Sequence, residues 1–284
     1  MLTVQNVSKT LGNFQIKDIS FQLPKGYIMG LVGPNGAGKT SLFHLIMGLY
    51  EMDQGQITIN DFDITKEEAL AKNDIGFVFT EELFTGNLSL IENAGMYGKY
   101  YSDYKEELFL KYCETFHLDA NKKLKKHSKG EKLKFQFAFA LSHQPKLLLL
   151  DEPTANFDPD FREIFFKILV QFVKDGEHSV ILSTHLTKDL DRLADYVTFI
   201  NHGKVVFSLD KETMGQRYRL VTGEAYKINL INKELVLHKE NGKYSSKALV
   251  KHTRWSEYDK ELLVEIPTIE DIMYFIVKGE KKHA

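Results

Sequence analysis

Eight consecutive residues, GPNGAGKT from Gly33 to Thr40, match the pattern G-x-x-x-x-G-K-[ST] in full. A buried-strand run, YIMGLVG, leads into them, and a helix-patterned stretch, TSLFHLIMGLY, overlaps their end. That strand–loop–helix setting is the one in which the pattern binds phosphate. Its glycines let successive backbone N–H groups converge on phosphate oxygens at the positive end of a helix. Gly33, Pro34, Asn35, Gly36, Ala37 and Gly38 therefore read as a cradle for a nucleotide. Lys39 reaches the β- and γ-phosphates, the Thr40 hydroxyl ligates Mg²⁺, and Ser41 falls close to the α-phosphate. A glycine-rich turn without a ligand is the bland alternative, and the complete pattern in this setting argues against it.

Farther along, LLLLDEP delivers Asp151 at the end of a buried apolar strand, where a carboxylate can hold a Mg²⁺ shell. Glu152 follows it and is the candidate general base for an attacking water. An Asp-Glu pair at a strand end is weak by itself. Downstream of a phosphate loop, it separates a hydrolysing NTPase from a mere phosphate binder. His185 ends another short apolar run, ILSTH, and can hydrogen-bond the γ-phosphate and the attacking water, although a lone histidine is more often structural. HSKGEK, residues 127–132, opens a helical pattern just before LLLLDEP. A serine hydroxyl and a glycine N–H at a helix start either cap that helix or bind an anion.

The elements that must position these groups follow from periodicity. Alternation in LTVQNV and FQIKDISFQL predicts two or three antiparallel strands at the start. IGFVF, LLLLD, SVILS and YVTFI are short β-type runs separated by helical stretches, which predicts a mostly parallel core sheet in an α/β domain. From about residue 80 to 142 the β signals vanish, and YKEELFLKYCETFHL and EKLKFQFAFAL predict a helical insert. Within it, the KKLKK run reads as a solvated helix end or loop. After about Asp210, YKINLI, ELVLHKENGKYSSKALV and ELLVEI read as strands, with Asn241-Gly242 as a hairpin turn. A last helix starts in IPTIEDIMYF, capped by Thr268 and Asp271, with Ile269, Ile272, Met273 and Ile276 as its apolar stripe. The expected organisation is a nucleotide-binding unit over 1–209 and an accessory α+β unit over 210–284.

Composition narrows the class. Thirty-seven basic against 39 acidic side chains leave a formal charge of -2, so no strong positive field marks nucleic acid as a partner. The single cysteine, Cys113, cannot form an internal disulfide, which points to a reducing compartment. No run approaches the ~18–20 apolar residues of a membrane span, and MLTVQNVSKT has no signal-peptide core. An intracellular chain that meets a membrane only through a partner is the expectation.

Together these motifs resemble the ATP-binding cassette (ABC) family. Its signature, usually LSGGQ, lies at the start of a helix shortly before the LLLLDEP strand, and the matching residues are His127-Ser128-Lys129-Gly130-Glu131. The resemblance implies that Ser128 and Gly130, flanked by Lys129 and Glu131, act on the γ-phosphate held by the opposite subunit of a head-to-tail dimer. Ala155-Asn156-Phe157-Asp158 resembles the D-loop, with Phe157 in place of leucine and Asp158 at the dimer interface. IGFVFTEELF looks like the Q-loop, with Thr80 where a glutamine normally reaches the Mg²⁺. Leu11 falls on the adenine-stacking position, and Phe14 is the nearest ring. A narrower likeness is to the exporter branch with separate ATPase and membrane subunits, which includes the phenol-soluble modulin exporters and GntR-operon transporters.

The implied fold is a P-loop NTPase domain with an antiparallel β subdomain, a helical insert and a small C-terminal α+β appendage. ATP and Mg²⁺ are the implied cofactors. The implied partners are an integral membrane permease and a second ATPase subunit, at the cytoplasmic face of the membrane, and the cargo class is peptide. Three other readings compete with this one. Soluble cassettes acting on ribosomes or DNA carry two cassettes or long coiled coils, which this chain lacks. P-loop GTPases need N-K-x-D, and NKKL ends in Leu124. A regulatory cassette with weak hydrolysis is kept open by Thr80, while Glu152 and His185 oppose it.

Overall fold

The computed structural model describes residues 1–81, 83–184, 187–242, 244–251 and 261–280. Strands β1 (Leu2–Leu11) and β2 (Phe14–Leu23) form the opening hairpin, with Leu11 opposite Phe14 across a turn in which Gly12 has φ +59°. Alternation buries Ile19, Phe21 and Leu23, and an irregularity at Asp18, with φ 51°, lets Ile16 be buried as well. Strands β4 (Gln54–Ile59) and β5 (Phe62–Asp63) extend the sheet in the order β2-β1-β4-β5.

The second sheet is the scaffold for chemistry. It contains β3 (Ile28–Val32), β6 (Ile75–Val78), β7 (Leu147–Asp151), β8 (Ser179–Ser183), β9 (Tyr196–Asn201) and β10 (Lys204–Asp210) in the order β10-β9-β3-β8-β7-β6. All neighbours are parallel except β10, which pairs antiparallel with β9. Every residue of β3, β7 and β8 is buried, which explains apolar runs without alternation. Chain order and sheet order differ: β8 inserts between β3 and β7. The C-terminal ends of three strands thus come side by side, where an α/β sheet binds its ligand.

Helices flank these sheets: α1 (Lys39–Ile46), α2 (Glu68–Asn73), α3 (Leu90–Gly98), α4 (Glu106–Thr115), α5 (Lys129–Ser142), α6 (Pro159–Val173) and α7 (Thr187–Leu193). Aromatic rings bind α3, α4 and α5 together. Phe84 meets Phe135 edge to face at 4.9 Å, and Phe116 stacks on Phe137 at 5.7 Å. The lysine run 122–126 holds a short 3₁₀ turn in which Leu124 alone is buried.

The chain then forms α8 (Lys211–Arg217), β11 (Tyr218–Gly223), α9 (Ala225–Leu230), β12 (Val236–Asn241), β13 (Ser246–Lys251), β14 (Leu263–Glu265) and α10 (Ile269–Glu280). Its sheet runs β12-β13-β11-β14. YKINLI, expected as a strand, lies in α9. Both edges of β11 are already taken by β13 and β14, and the segment covers the sheet by burying Ile228 against Val221, Ala248 and Val250. The β12–β13 turn is closed by the Gly242 N–H on the Ser245 carbonyl at 3.0 Å. The Thr268–Asp271 box caps α10, with N–H bonds of 3.0 and 3.1 Å running both ways.

His143, just after α5, is 2% exposed and stacks on Tyr101 at 3.9 Å, and neither ring nitrogen has a hydrogen-bond partner. Burial pushes its pKa down to about 4. In the unfolded chain a histidine titrates near ~6.5, so the unfolded state takes up this proton first. Stability therefore falls as pH drops from ~6.5 and levels off below the folded value, losing about 3 kcal/mol from this group. Urea melts of His143→Phe should lack that share of the acid loss. An acid sensitivity identical to the native protein would contradict it.

Candidate functional site

The phosphate loop is folded by positions where a side chain has no room. A Cβ on Gly33 would lie 2.2 Å from the Ile200 carbonyl oxygen. Gly38 has φ +107°, and a Cβ there would meet Ile16 at 2.9 Å and Phe14 at 3.0 Å. With these clearances the loop turns tightly from β3 into α1. Lys39, 8% exposed, donates to the Gly33 carbonyl at 2.9 Å and to the Pro34 carbonyl at 3.4 Å, so its ammonium lies across the loop mouth.

Opposite the loop, β7 ends at Asp151, whose carboxylate is buried and doubly bound. Thr40 Oγ1 donates to Oδ2 at 2.6 Å, and Ser183 Oγ donates to Oδ1. Ser183 is a member of the site that motif reading missed. It is the last residue of β8 and directly adjoins Asp151 in register. Its position two residues before His185 was the available signal. The Thr40 hydroxyl and the Asp151 carboxylate put hard oxygen donors at one point, the donor chemistry that suits Mg²⁺. No cluster of three His, Cys, Asp or Glu side chains that could hold a metal occurs among the described residues.

Glu152 has φ 50° and ψ 40°, left-handed values that cost a non-glycine residue about 1–3 kcal/mol. Its N–H donates to the Ser183 carbonyl at 3.1 Å, which helps hold the turn. A groove of about 570 Å³ is lined by Phe14, Asn35, Gly36, Gly38, Lys39, Thr40, Ser41, Asp151 and Glu152. The structure thus brings most of the sequence-predicted ATP residues to one surface. Phe14, half-buried at the start of β2, supplies its only ring among the described residues; Leu11 does not line it.

The signature-like residues stand elsewhere on the chain. Ser128 caps α5: its Oγ accepts the Glu131 N–H at 3.2 Å, and Glu131 Oε2 accepts the Ser128 N–H at 2.7 Å. That backbone bond holds the Glu131 carboxyl below the usual range. Lys129 is exposed, and a Cβ on Gly130 would come within 2.5 Å of the Asn156 carbonyl oxygen, so the first turn of α5 rests on the D-loop-like segment. Asp158 caps α6 by accepting the Phe161 N–H at 2.8 Å and pairs with Lys134 at 3.0 Å. The Phe161 N–H, then Lys134, hold its carboxyl low. Thr80 is exposed beyond β6 and lines a separate cavity with Glu81, Lys129, Gln136 and Asn156. The structure does not bring Thr80 into the groove. His185 lies outside the described residues.

Residues 16–155 match the ABC transporter family. The chain is 35% identical over 212 residues to the linearmycin resistance ATP-binding protein LnrL of Bacillus subtilis, covering 72% of this chain and 68% of LnrL. It is 31% identical to the Nod factor export ATP-binding protein I of Sinorhizobium fredii, over 72% of this chain and 61% of that protein. It is 34% identical to the tungstate uptake system ATP-binding protein TupC of Peptoclostridium acidaminophilum, over 72% and 96%. The solved structure of an ATP-binding subunit of an ABC transporter superposes with a TM-score of 0.71 at 23% identity, covering 75% of this chain and 91% of that one, a likeness of fold.

Ser183→Ala removes one of the two hydroxyls bound to a buried carboxylate. It should destabilise the protein by about 2 kcal/mol in urea melts, and an unchanged midpoint would discount the Ser183–Asp151 bond.

Proposed function

The chain belongs to the ABC transporter family of ATP-binding proteins, and on that premise we propose that it is the ATP-hydrolysing subunit of an exporter, paired head to tail with a second ATPase and driving a separate membrane permease. The observation that carries hydrolysis is the convergence of Lys39, Thr40, Asp151, Ser183 and Glu152 at adjoining strand ends. ATP lies in the groove with its phosphates along the loop N–H groups and its base against Phe14. Thr40 and Asp151 would hold Mg²⁺, which would supply neutralisation of phosphate charge. Lys39 swings from the Gly33 carbonyl to the β- and γ-oxygens. Glu152 takes a proton from the water whose oxygen bonds to the γ-phosphorus as the bond to the ADP oxygen breaks. His185 is assigned a hydrogen bond to that γ-phosphate.

Capping and catalysis are compatible at Ser128. Its oxygen accepts the Glu131 N–H, which leaves its own hydrogen free to donate to a γ-phosphate on the second subunit. Ser128 and Gly130 do not line this chain's own groove, which supports a second subunit as the source of the γ-phosphate they meet. Closure on ATP and opening after hydrolysis then drive the permease. Residues 1–209 are assigned to this engine and 210–284 to an accessory unit. Thr80, outside the groove, is assigned to the loop that faces the permease. No helix among the described residues is long and apolar enough to cross a membrane. The likeness to ABC transporter ATP-binding proteins supports a membrane path supplied by a partner, with this chain at the cytoplasmic face.

Export rests on the relatives named for resistance and export, against one named for uptake. Peptide cargo rests on the likeness to the modulin exporters. The position of Thr80 favours a second reading, a regulatory cassette with slow hydrolysis.

Glu152→Gln should retain ATP affinity and lose about 100-fold or more in turnover, the loss expected for a general base. Near-native turnover would remove Glu152 from that role. Lys39→Ala should lose nucleotide binding by equilibrium titration, and unchanged affinity would contradict the groove assignment. Affinity capture from detergent-solubilised native membranes should recover a multi-span protein. Recovery of ribosomes or nucleic acid alone would move the ATPase out of transport.

A further inference from the structure

Gln136 is 5% exposed in the second half of α5, and both ends of its side-chain amide are engaged by one residue. Oε1 accepts the Phe79 N–H at 2.9 Å, and Nε2 donates to the Phe79 carbonyl at 2.9 Å and to the Glu81 carbonyl at 3.5 Å. The parallel ladder between β6 and β7 stops one residue earlier, at Val78 opposite Leu150. Gln136 therefore acts as the strand neighbour that Phe79 lacks, satisfying buried backbone groups that would otherwise be costly to leave unpaired. Met or Leu would fill the same volume. A side chain with both a donor and an acceptor at that reach is what makes the link directional.

The same helix makes the other contacts of consequence. Its N-cap is Ser128, its first turn presents Gly130 to the Asn156 carbonyl, and Lys134 pairs with Asp158. Gln136 lies eight residues after Ser128, about 12 Å along a rigid helix. The bonds of Gln136 thereby tie the segment 79–81 to the same rigid helix whose start carries Ser128. Gln136 does not line the nucleotide groove.

We propose that Gln136 is a positioning residue for ATP hydrolysis: its two-bond clamp on Phe79 locks the loop after β6 to α5, so that this loop, the D-loop-like turn and Ser128–Gly130 keep one relative placement when two subunits close. The proposal rests on the reading that Ser128 and Gly130 serve the γ-phosphate of the second subunit. It places the hydrolytic effect of Gln136 in kcat and leaves ATP affinity alone.

The test compares Gln136→Met, Ser128→Ala and the double variant in the full chain, reading kcat, KM, ATP affinity and amide exchange at Phe79. Gln136→Met should expose the Phe79 N–H to exchange and lower kcat about fivefold or more, with KM and affinity unchanged. In the Ser128→Ala background it should cost nothing further, because both act as one unit. Native kcat in Gln136→Met, or losses that multiply in the double variant, overturns the proposal while leaving the signature reading standing. Native kcat in Ser128→Ala overturns the signature reading and the proposal with it. Should Gln136→Met fail to fold, Gln136→Glu replaces it. That variant keeps the length and the acceptor but loses the donor, and its kcat, KM and double-variant results are read the same way.

Discussion

Asp151 is the constraint on which the rest of the site depends. A carboxylate at 5% exposure is expensive unless its oxygens are bound, and here each oxygen accepts a hydroxyl, one from α1 and one from β8. Those two donors come from segments more than a hundred residues apart in one case and about thirty in the other. The bonds therefore require β8 to lie against β7 and the start of α1 to face both. That is the strand order observed, with β8 between β3 and β7. The carboxylate that suits Mg²⁺ is also the pin that joins two strand ends to the start of α1.

Around that pin, backbone conformation does work that side chains cannot. Gly33 and Gly38 have no room for a Cβ, and Glu152 holds a left-handed conformation secured by its N–H on the Ser183 carbonyl. The left-handed turn after Asp151 sets Glu152, half-buried, beside the buried Asp151 on the wall of the same groove. Two adjacent carboxylates are thereby given different surroundings, which suits the roles proposed for them, Asp151 as a cation ligand and Glu152 as a general base.

The helix α5 connects this site to its surroundings. Its N-terminal turn is stabilised by a capping box, a local device sufficient to explain Ser128 and Glu131 with no ligand at all. The Gly130 contact with Asn156 and the Gln136 bonds to Phe79 are different in kind, since each joins α5 to a loop distant in sequence. A helix tied to one loop at its first turn and to another at its middle is placed to couple the two as a rigid body, as proposed for Gln136. Local stability and long-range coupling are thus served by neighbouring residues of one element.

What the sequence by itself determined is the chemistry governed by short-range spacing. The pattern GPNGAGKT, the strand ending in Asp151-Glu152 and the Thr268–Asp271 cap were legible because contiguous residues set the turn, the strand end and the helix start. The buried strands were legible because burial on both faces forces unbroken apolar runs. YKINLI was misread because a six-residue apolar–polar mixture suits a strand or a helix, and only the occupied edges of β11 decide for α9. Ser183, Phe14 over Gly38, the separation of Thr80 from the groove and the Gln136 clamp were left to the tertiary structure. Each depends on which strands become neighbours, and that order is set by burial and chain crossing across the whole domain, beyond the reach of any local window.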